Sequence, residues 1–256
     1  MNLSAKSIIT RIVVGTILLS VGAIIGVYHG ISRDPVWYSL FDGETLDGWE
    51  LKAAPDDQEK DYWHVVEGAI VCNSIGDKNH GAVFLQHKLP IDDFELKLKF
   101  QAFRDSPGNS GVQIRSRWDA DSTEAQGGRM EGPQIDIHPP LPWRTGLIYD
   151  ETWESRRWIS PSMGSWKISE EQGPQEWLFN YANDANPWND LVIRCEGTKI
   201  QVTVNRVPIS DFDGTGILDS PDHQKRGVGM NGQIALQLHQ KDELHLKFKD
   251  IFIREL

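Results

Sequence analysis

Residues 109–119 read NSGVQIRSRWD, and residues 131–151 read EGPQIDIHPPLPWRTGLIYDE. In the first segment Gln113, Arg115 and Arg117 alternate with Val112, Ile114 and Ser116. In the second, Gln134, Asp136 and His138 alternate with Ile135 and Ile137. Successive strand side chains point to opposite faces, so each segment is expected to be a strand with an apolar row and a functional row. A solvated strand face favours Lys, Glu, Thr and Ser. A row of Gln, Asp, His and Arg beside Trp143 and Tyr149 has the chemistry of a pocket wall.

The same alternation recurs along the chain. Residues 94–103 (FELKLKFQAF) turn Phe94, Leu96, Leu98 and Phe100 one way and Glu95, Lys97 and Lys99 the other. Residues 63–73 read as two strands around Glu67-Gly68. Residues 191–206 read as a hairpin with its turn near Gly197-Thr198, and Asn205-Arg206 is a further turn. Residues 233–239 and 244–255 close the series. Short strands punctuated by Gly and Asp turns, with no sustained helical period, predict an all-β sandwich of antiparallel sheets. Residues 152–189 break the pattern. They are rich in Trp, Pro, Ser and acids, and read as a long insertion or a lid-like loop.

The last polar row supports the first two. Ile234, Leu236 and Leu238 form an apolar row, which leaves Gln237 and His239 on the opposite face. If these three strands share a sheet, that face collects Gln113, Arg115, Gln134, Asp136, His138, Gln237 and His239. Such a hydrogen-bonding floor suits a carbohydrate, with Trp143 as a stacking platform and Glu131 close enough to reach the pocket.

The N-terminus has a different character. Lys6 and Arg11 precede an apolar run over residues 12–28, near the lower length limit for a spanning helix. Residues 1–31 are expected to be an uncleaved membrane anchor or a cleaved signal peptide, residues 32–38 a tether, and residues 39–256 one domain. Basic residues ahead of the run keep the N-terminus inside and export the rest. The protein is therefore expected outside the cytoplasm, membrane-anchored, or secreted or periplasmic if the leader is removed. A net charge of −11 disfavours nucleic acid as a partner, because phosphate attraction needs a basic surface. Cys72 and Cys195 each share parity with core positions and are expected to be buried free thiols.

The order of these pieces resembles the 3-keto-disaccharide hydrolase domain family. The carrying motifs are LFDGETLDGW at 40–49, WHVVEG at 63–68, DFEL at 93–96, GNSGV at 108–112, IALQLH at 234–239 and FKDIFIREL at 248–256. The resemblance implies a concanavalin-like jelly roll of two curved antiparallel sheets with its site on the concave face. It also implies cleavage of glycosides whose C3 hydroxyl has been oxidised to a ketone, by hydrolysis or by elimination. The family usually has Glu or Gln where this chain has Gln134 and Asp136, with an acidic residue near His138, and this departure leaves the identity of the base open.

A conventional retaining glycosidase needs two carboxyl groups about 5 Å apart. The strand Gln134-x-Asp136-x-His138 offers one. A 3-keto sugar asks for less, because its ketone acidifies the C2 proton and one base suffices. Asp136 or His138 is the candidate base, Arg115 the electrostatic stabiliser, and His239 or Tyr149 the acid. Gln113, Gln134, Gln237, Glu131 and Trp143 are candidate substrate contacts. Asp136, His138 and His239 would also suit a divalent metal. Two other readings use the same surface: a non-catalytic carbohydrate-binding module, or a groove that binds protein.

Overall fold

The computed structural model describes residues 36–106, 108–122, 127–138, 144–163, 168–169, 171, 173–174 and 178–256. The predicted alternation becomes two antiparallel sheets. The back sheet has eight strands in the order β15-β14-β13-β6-β17-β4-β3, with β1 also paired to β17. Its members are β1 (Tyr38–Ser39), β3 (Trp63–Val66), β4 (Ala69–Asn73), β6 (Phe94–Ala102), β13 (Asn189–Glu196), β14 (Lys199–Val204), β15 (Val207–Asp213) and β17 (His245–Glu255). The front sheet has nine strands in the order β12-β11-β10-β9-β7-β16-β5-β2, with β8 also paired to β7. These are β2 (Trp49–Lys52), β5 (Val83–His87), β7 (Ser110–Asp119), β8 (Arg129–Glu131), β9 (Pro133–Ile137), β10 (Ile148–Asp150), β11 (Arg157–Ser160), β12 (Ser162–Met163) and β16 (Gln233–Leu238).

The core lies between the sheets. Phe94, Leu96, Leu98 and Phe100 of β6 and Leu191 and Ile193 of β13 meet Val112, Ile114, Ile135, Ile137, Ile234 and Leu236 of the front sheet. Full burial of such a side chain contributes about 1.5–3 kcal/mol, so the apolar rows fix which way each strand faces. The tight hairpins fall where the turn chemistry placed them. Glu67 and Gly68 (φ 50° and 76°) join β3 to β4, and Asn205 and Arg206 (φ 48° and 67°) join β14 to β15. Both pairs hold the left-handed conformation that matches the strand twist.

Three expectations change. Residues 152–189 are not simply an insertion: β11 and β12 extend the front sheet, and Leu178, Phe179 and Tyr181 enter the core. Tyr38, read from sequence as the last residue of the tether, pairs with Ile253. One short helix, α1 (Pro221–Arg226), stands where no helical period was read. It starts at Ser220, whose side chain accepts from the His223 amide, and ends at left-handed Gly227. Cys72 and Cys195 are buried free thiols as expected, and burial pushes both pKa values up, that of Cys195 to about 12. The apolar run at 12–28 lies outside the described residues. Among the described residues no helix is long and apolar enough to cross a membrane.

Candidate active site

Three front strands converge as their parity required. Gln113 of β7 pairs with Gln134 of β9, and Gly111 with Asp136. Gln237 of β16 pairs with Phe84 of β5. All these side chains face away from the core, on the open side of the sheet.

The parity then breaks within β7. Arg115 has φ 46°, and the register between β16 and β7 slips between Gln233 and Ala235. One extra residue in a strand bends it and reverses the alternation beyond. After the bulge, Ser116 and Trp118 take the open face. The Ser116 hydroxyl donates to Gln113 Oε1 at 2.9 Å, and Trp118 packs with Phe84 and Met130. Arg115 itself leaves the site. It is fully buried, donates to the carbonyls of Asp92 and Gly197 at 2.6 Å each, and pairs with Asp93 at 2.7 Å. Arg115 therefore ties the front sheet to the turns of the back sheet and cannot face a substrate held against Asp136.

A relay of amides orients the central carboxylate. Gln113 Nε2 donates to Gln134 Oε1 at 2.8 Å, and Gln134 Nε2 donates to Asp136 Oδ1 at 3.3 Å. The cation beside Asp136 is Arg144, not Arg115, with its Nε 3.1 Å from Oδ2. Burial pushes the Asp136 carboxyl above its ordinary range, against the pull of Arg144, His138 and His239. His138 ends the strand, where its amide donates to Thr145 Oγ1 at 2.8 Å.

His239 follows β16 and closes the opposite side. Its Nδ1 lies 3.2 Å from Asp242 Oδ2, and that oxygen also accepts the Asn109 amide at 2.9 Å. Burial lowers the His239 pKa, but Asp242, Glu151 and Asp136 outweigh it and leave the imidazole above its ordinary value. Glu151 continues the parity of Tyr149 past the end of β10. It pairs with Arg156 at 3.2 Å, and burial raises its pKa against Arg156, His239 and Arg129. Tyr149 packs edge-on against Trp158 at 5.1 Å, and burial raises its pKa so that the phenol stays neutral.

These groups line a groove of two lobes. One, of about 410 Å³, holds Asp136, His138, Arg144, Tyr149, Trp158 and Asp242. The other, of about 420 Å³, is walled by Phe84, Trp118, Met130, Arg129, Trp153 and Gln237. Glu151, Arg156, His239 and Gln240 line both. Of the residues read from sequence, the groove gathers Gln134, Asp136, His138, Tyr149, Gln237 and His239, with Gln113 behind Gln134. Glu131 stands apart, held by Arg129 at 3.0 Å, by Arg226 at 3.3 Å and by the Trp153 amide at 2.6 Å. Trp143 lies outside the described residues.

The single carboxylate of the strand motif understates the site, since Glu151 and Asp242 also line it. Sequence reading missed Asp242, Arg144, Arg156 and Asn109 because they sit on loops. The signal for Glu151 was its shared parity with Tyr149. Among the described residues no group of three or more His, Cys, Asp or Glu side chains is arranged to hold a metal ion. Asp136, His138 and His239, read from sequence as able to suit a divalent metal, do not form such a group.

The family model described as a 3-keto-alpha-glucoside-1,2-lyase-like domain matches residues 36–254. No curated protein matches the chain. A provisionally assigned glycosyl hydrolase from Parabacteroides distasonis superposes with a TM-score of 0.52 at 20% identity, over 86% of this chain and 100% of its own. A second from the same organism gives 0.51 at 17%, over 86% and 94%. The kappa-carrageenase of Pseudoalteromonas carrageenovora gives 0.51 at 8%, over 88% and 97%. At such identities the solved structures establish a shared sandwich fold and nothing finer. The family match runs almost from the first strand to the last, and the chain belongs to the 3-keto-disaccharide hydrolase family.

Proposed function

We propose that the groove cleaves 3-keto-glycosides by removing the proton next to the ketone. The observation that carries this is the meeting of a buried carboxylate, two arginines and a carboxylate-held histidine on one wall of the groove. Asp136 is the base. Burial raises its pKa, which strengthens it toward a carbon acid, and the amide relay fixes its direction. Arg144 and Arg156 face the space where negative charge builds on the C3 oxygen, and charge there is worth most in a site shielded from water. His239 carries the acid proton, because its three carboxylate neighbours favour the imidazolium.

The bonds balance without an added reagent. The C2–H bond breaks and its proton goes to Asp136, while the electron pair moves onto the C3 oxygen as an enolate. The enolate collapses, C1=C2 forms and the C1–O bond breaks. His239 protonates the departing oxygen, and Asp136 returns its proton to the imidazole through solvent. Release of the enone completes an elimination, and addition of water across C1=C2 completes a hydrolysis.

The test is turnover of a 3-keto-α-glucoside in deuterated water, beside the same glucoside with its C3 hydroxyl intact. Wild type should consume only the ketone, and recovered substrate or the hydrolysis product should carry deuterium at C2, a carbon that bears no hydrogen in the enone of elimination. Asp136→Asn should lose about 10²- to 10⁴-fold in rate while staying folded. A folded wild type that leaves the ketone intact, or cleaves both glucosides equally, would sink the reading. Sugar binding without turnover would instead favour a carbohydrate-binding module.

A further inference from the structure

Glu151, Trp153 and Arg156 all reach the groove from one short segment at the end of β10. The ladder ends there: the Glu151 amide still donates to the Gly132 carbonyl at 2.9 Å, and the chain then turns away. Beyond that point no strand register fixes where these side chains point. The alternation of β10 carries on for one more step. With Glu151 on the groove side, Asp150 and Thr152 turn the other way. Both are fully buried, and there they meet His223 of α1, which is 1% exposed.

His223 is engaged at both ring nitrogens. Nδ1 lies 2.8 Å from the Ser220 hydroxyl at the start of its own helix. Nε2 lies 3.3 Å from the Asp150 carboxylate and 3.2 Å from Thr152 Oγ1. Asp150 Oδ1 also accepts the Thr152 amide at 3.1 Å. One imidazole therefore holds the residue before Glu151 and the residue after it. A second side chain of the same helix acts one residue further on. Arg226 pairs with Glu131 at 3.3 Å, and Glu131 accepts the Trp153 amide at 2.6 Å. Apolar packing fills a volume, whereas hydrogen bonds have direction, so a buried polar cluster with its bonds made holds its members in one arrangement. His223, Asp150 and Thr152 do not line the groove and take no part in the proton transfers.

Resting on the catalytic reading above, we propose that His223 is a positioning residue. From α1 it fixes the backbone on both sides of Glu151, and so aims the Glu151–Arg156 pair at the space where the C3 oxyanion forms.

Two variants of the full chain separate this from a purely structural role. His223→Leu fills the site without hydrogen bonds, and His223→Gln keeps a donor near the Nε2 position. With a 3-keto-α-glucoside, His223→Leu should lower kcat per folded molecule roughly 100-fold, the scale of a 1 Å misplacement, and leave KM within about twofold. His223→Gln should recover most of that loss. A second measurement needs no turnover. Glu151 helps to hold the His239 pKa up, so in His223→Leu the His239 imidazole, followed by NMR, should titrate closer to its ordinary 6.5 than in wild type. If His223→Leu does not fold, Thr152→Val replaces it, with the same shape and one bond fewer, and kcat should fall about tenfold. A folded His223→Leu, or Thr152→Val in its place, that keeps wild-type kcat or wild-type titration of His239 overturns the proposal. So does a His223→Gln that is no better than His223→Leu. The catalytic reading fails separately: a wild type that leaves the ketone intact loses the chemistry, and the His239 titration still decides whether His223 positions Glu151.

Discussion

The outward faces of the two sheets carry the same alternation and do opposite things. On the back sheet, β6 presents Glu95, Lys97 and Lys99 to solvent. There Lys97 is 47% exposed and pairs loosely with Glu95 at 3.7 Å. On the front sheet, the corresponding rows are Gln113 at 0% exposure and Gln134, Asp136 and Gln237 at 2% each. A polar group in water costs nothing to keep. A buried one must be hydrogen-bonded or it opposes folding. The front sheet keeps its polar row under cover with a relay of amides, and three carboxylates surround its histidine. That arrangement is suited to a ligand, whereas the back face is an ordinary solvated surface.

Arg115 is the sharpest test of where the front row ends. By parity it belongs to the groove, yet the structure commits it to Asp93 and to backbone carbonyls between the sheets. Arg115→Ala should therefore cost about 3 kcal/mol, because it empties a fully buried site and takes the donor from the Asp92 and Gly197 carbonyls. Chemical denaturation would read this as a lowered midpoint. Activity per folded molecule should stay near wild type. A variant of full stability that is inactive would return Arg115 to the catalytic machinery.

A smaller loss is expected at Gly111, which lies opposite Asp136. A Cβ there would sit 2.5 Å from Gln134 Cδ and 2.6 Å from its Cγ. Gly111→Ala must push Gln134 aside and so break the relay that aims Asp136. Displacing a catalytic group by about 1 Å can cost roughly 100-fold in rate. Turnover should fall on that scale with little change in melting temperature. Unchanged turnover would show that the relay does not aim the base.

These two positions also show what the sequence made legible. Strand identity was readable because Val, Ile, Leu and Phe alternate with polar residues over β6, β7, β9 and β16, and burial holds that register. Asp136, His239, Gln134 and Gln237 were readable as one face for the same reason. The Arg115 bulge was not, because its left-handed residue is an arginine and only the slipped register against β16 reveals it. Arg144, Arg156 and Asp242 were not, because loop residues have no period to betray which way they point. Gly111 was visible as part of a motif, but its reason, the close approach of Gln134, is purely three-dimensional.

The histidine gives a pH-dependent version of the comparison. His239 titrates above its ordinary 6.5 when folded, so the folded state holds the extra proton more tightly than the unfolded chain. Its contribution to stability is full below 6.5 and is lost as pH rises through the folded pKa. Stability measured from pH 6 to 9 should therefore slope downward, and His239→Gln should flatten that slope. A slope unchanged in the variant would place its origin elsewhere.

The smallest effect belongs to the back face. Lys97 sits 4.0 Å from the Trp37 ring and near Glu95, contacts that look as numerous as those in the groove. They lie in water, where ion pairs are screened and long side chains lose entropy when held. Lys97→Ala should change stability by less than about 0.5 kcal/mol and leave turnover untouched. A loss as large as that of Arg115→Ala would mean the back face is also a working surface, and the contrast between the two sheets would no longer locate the site.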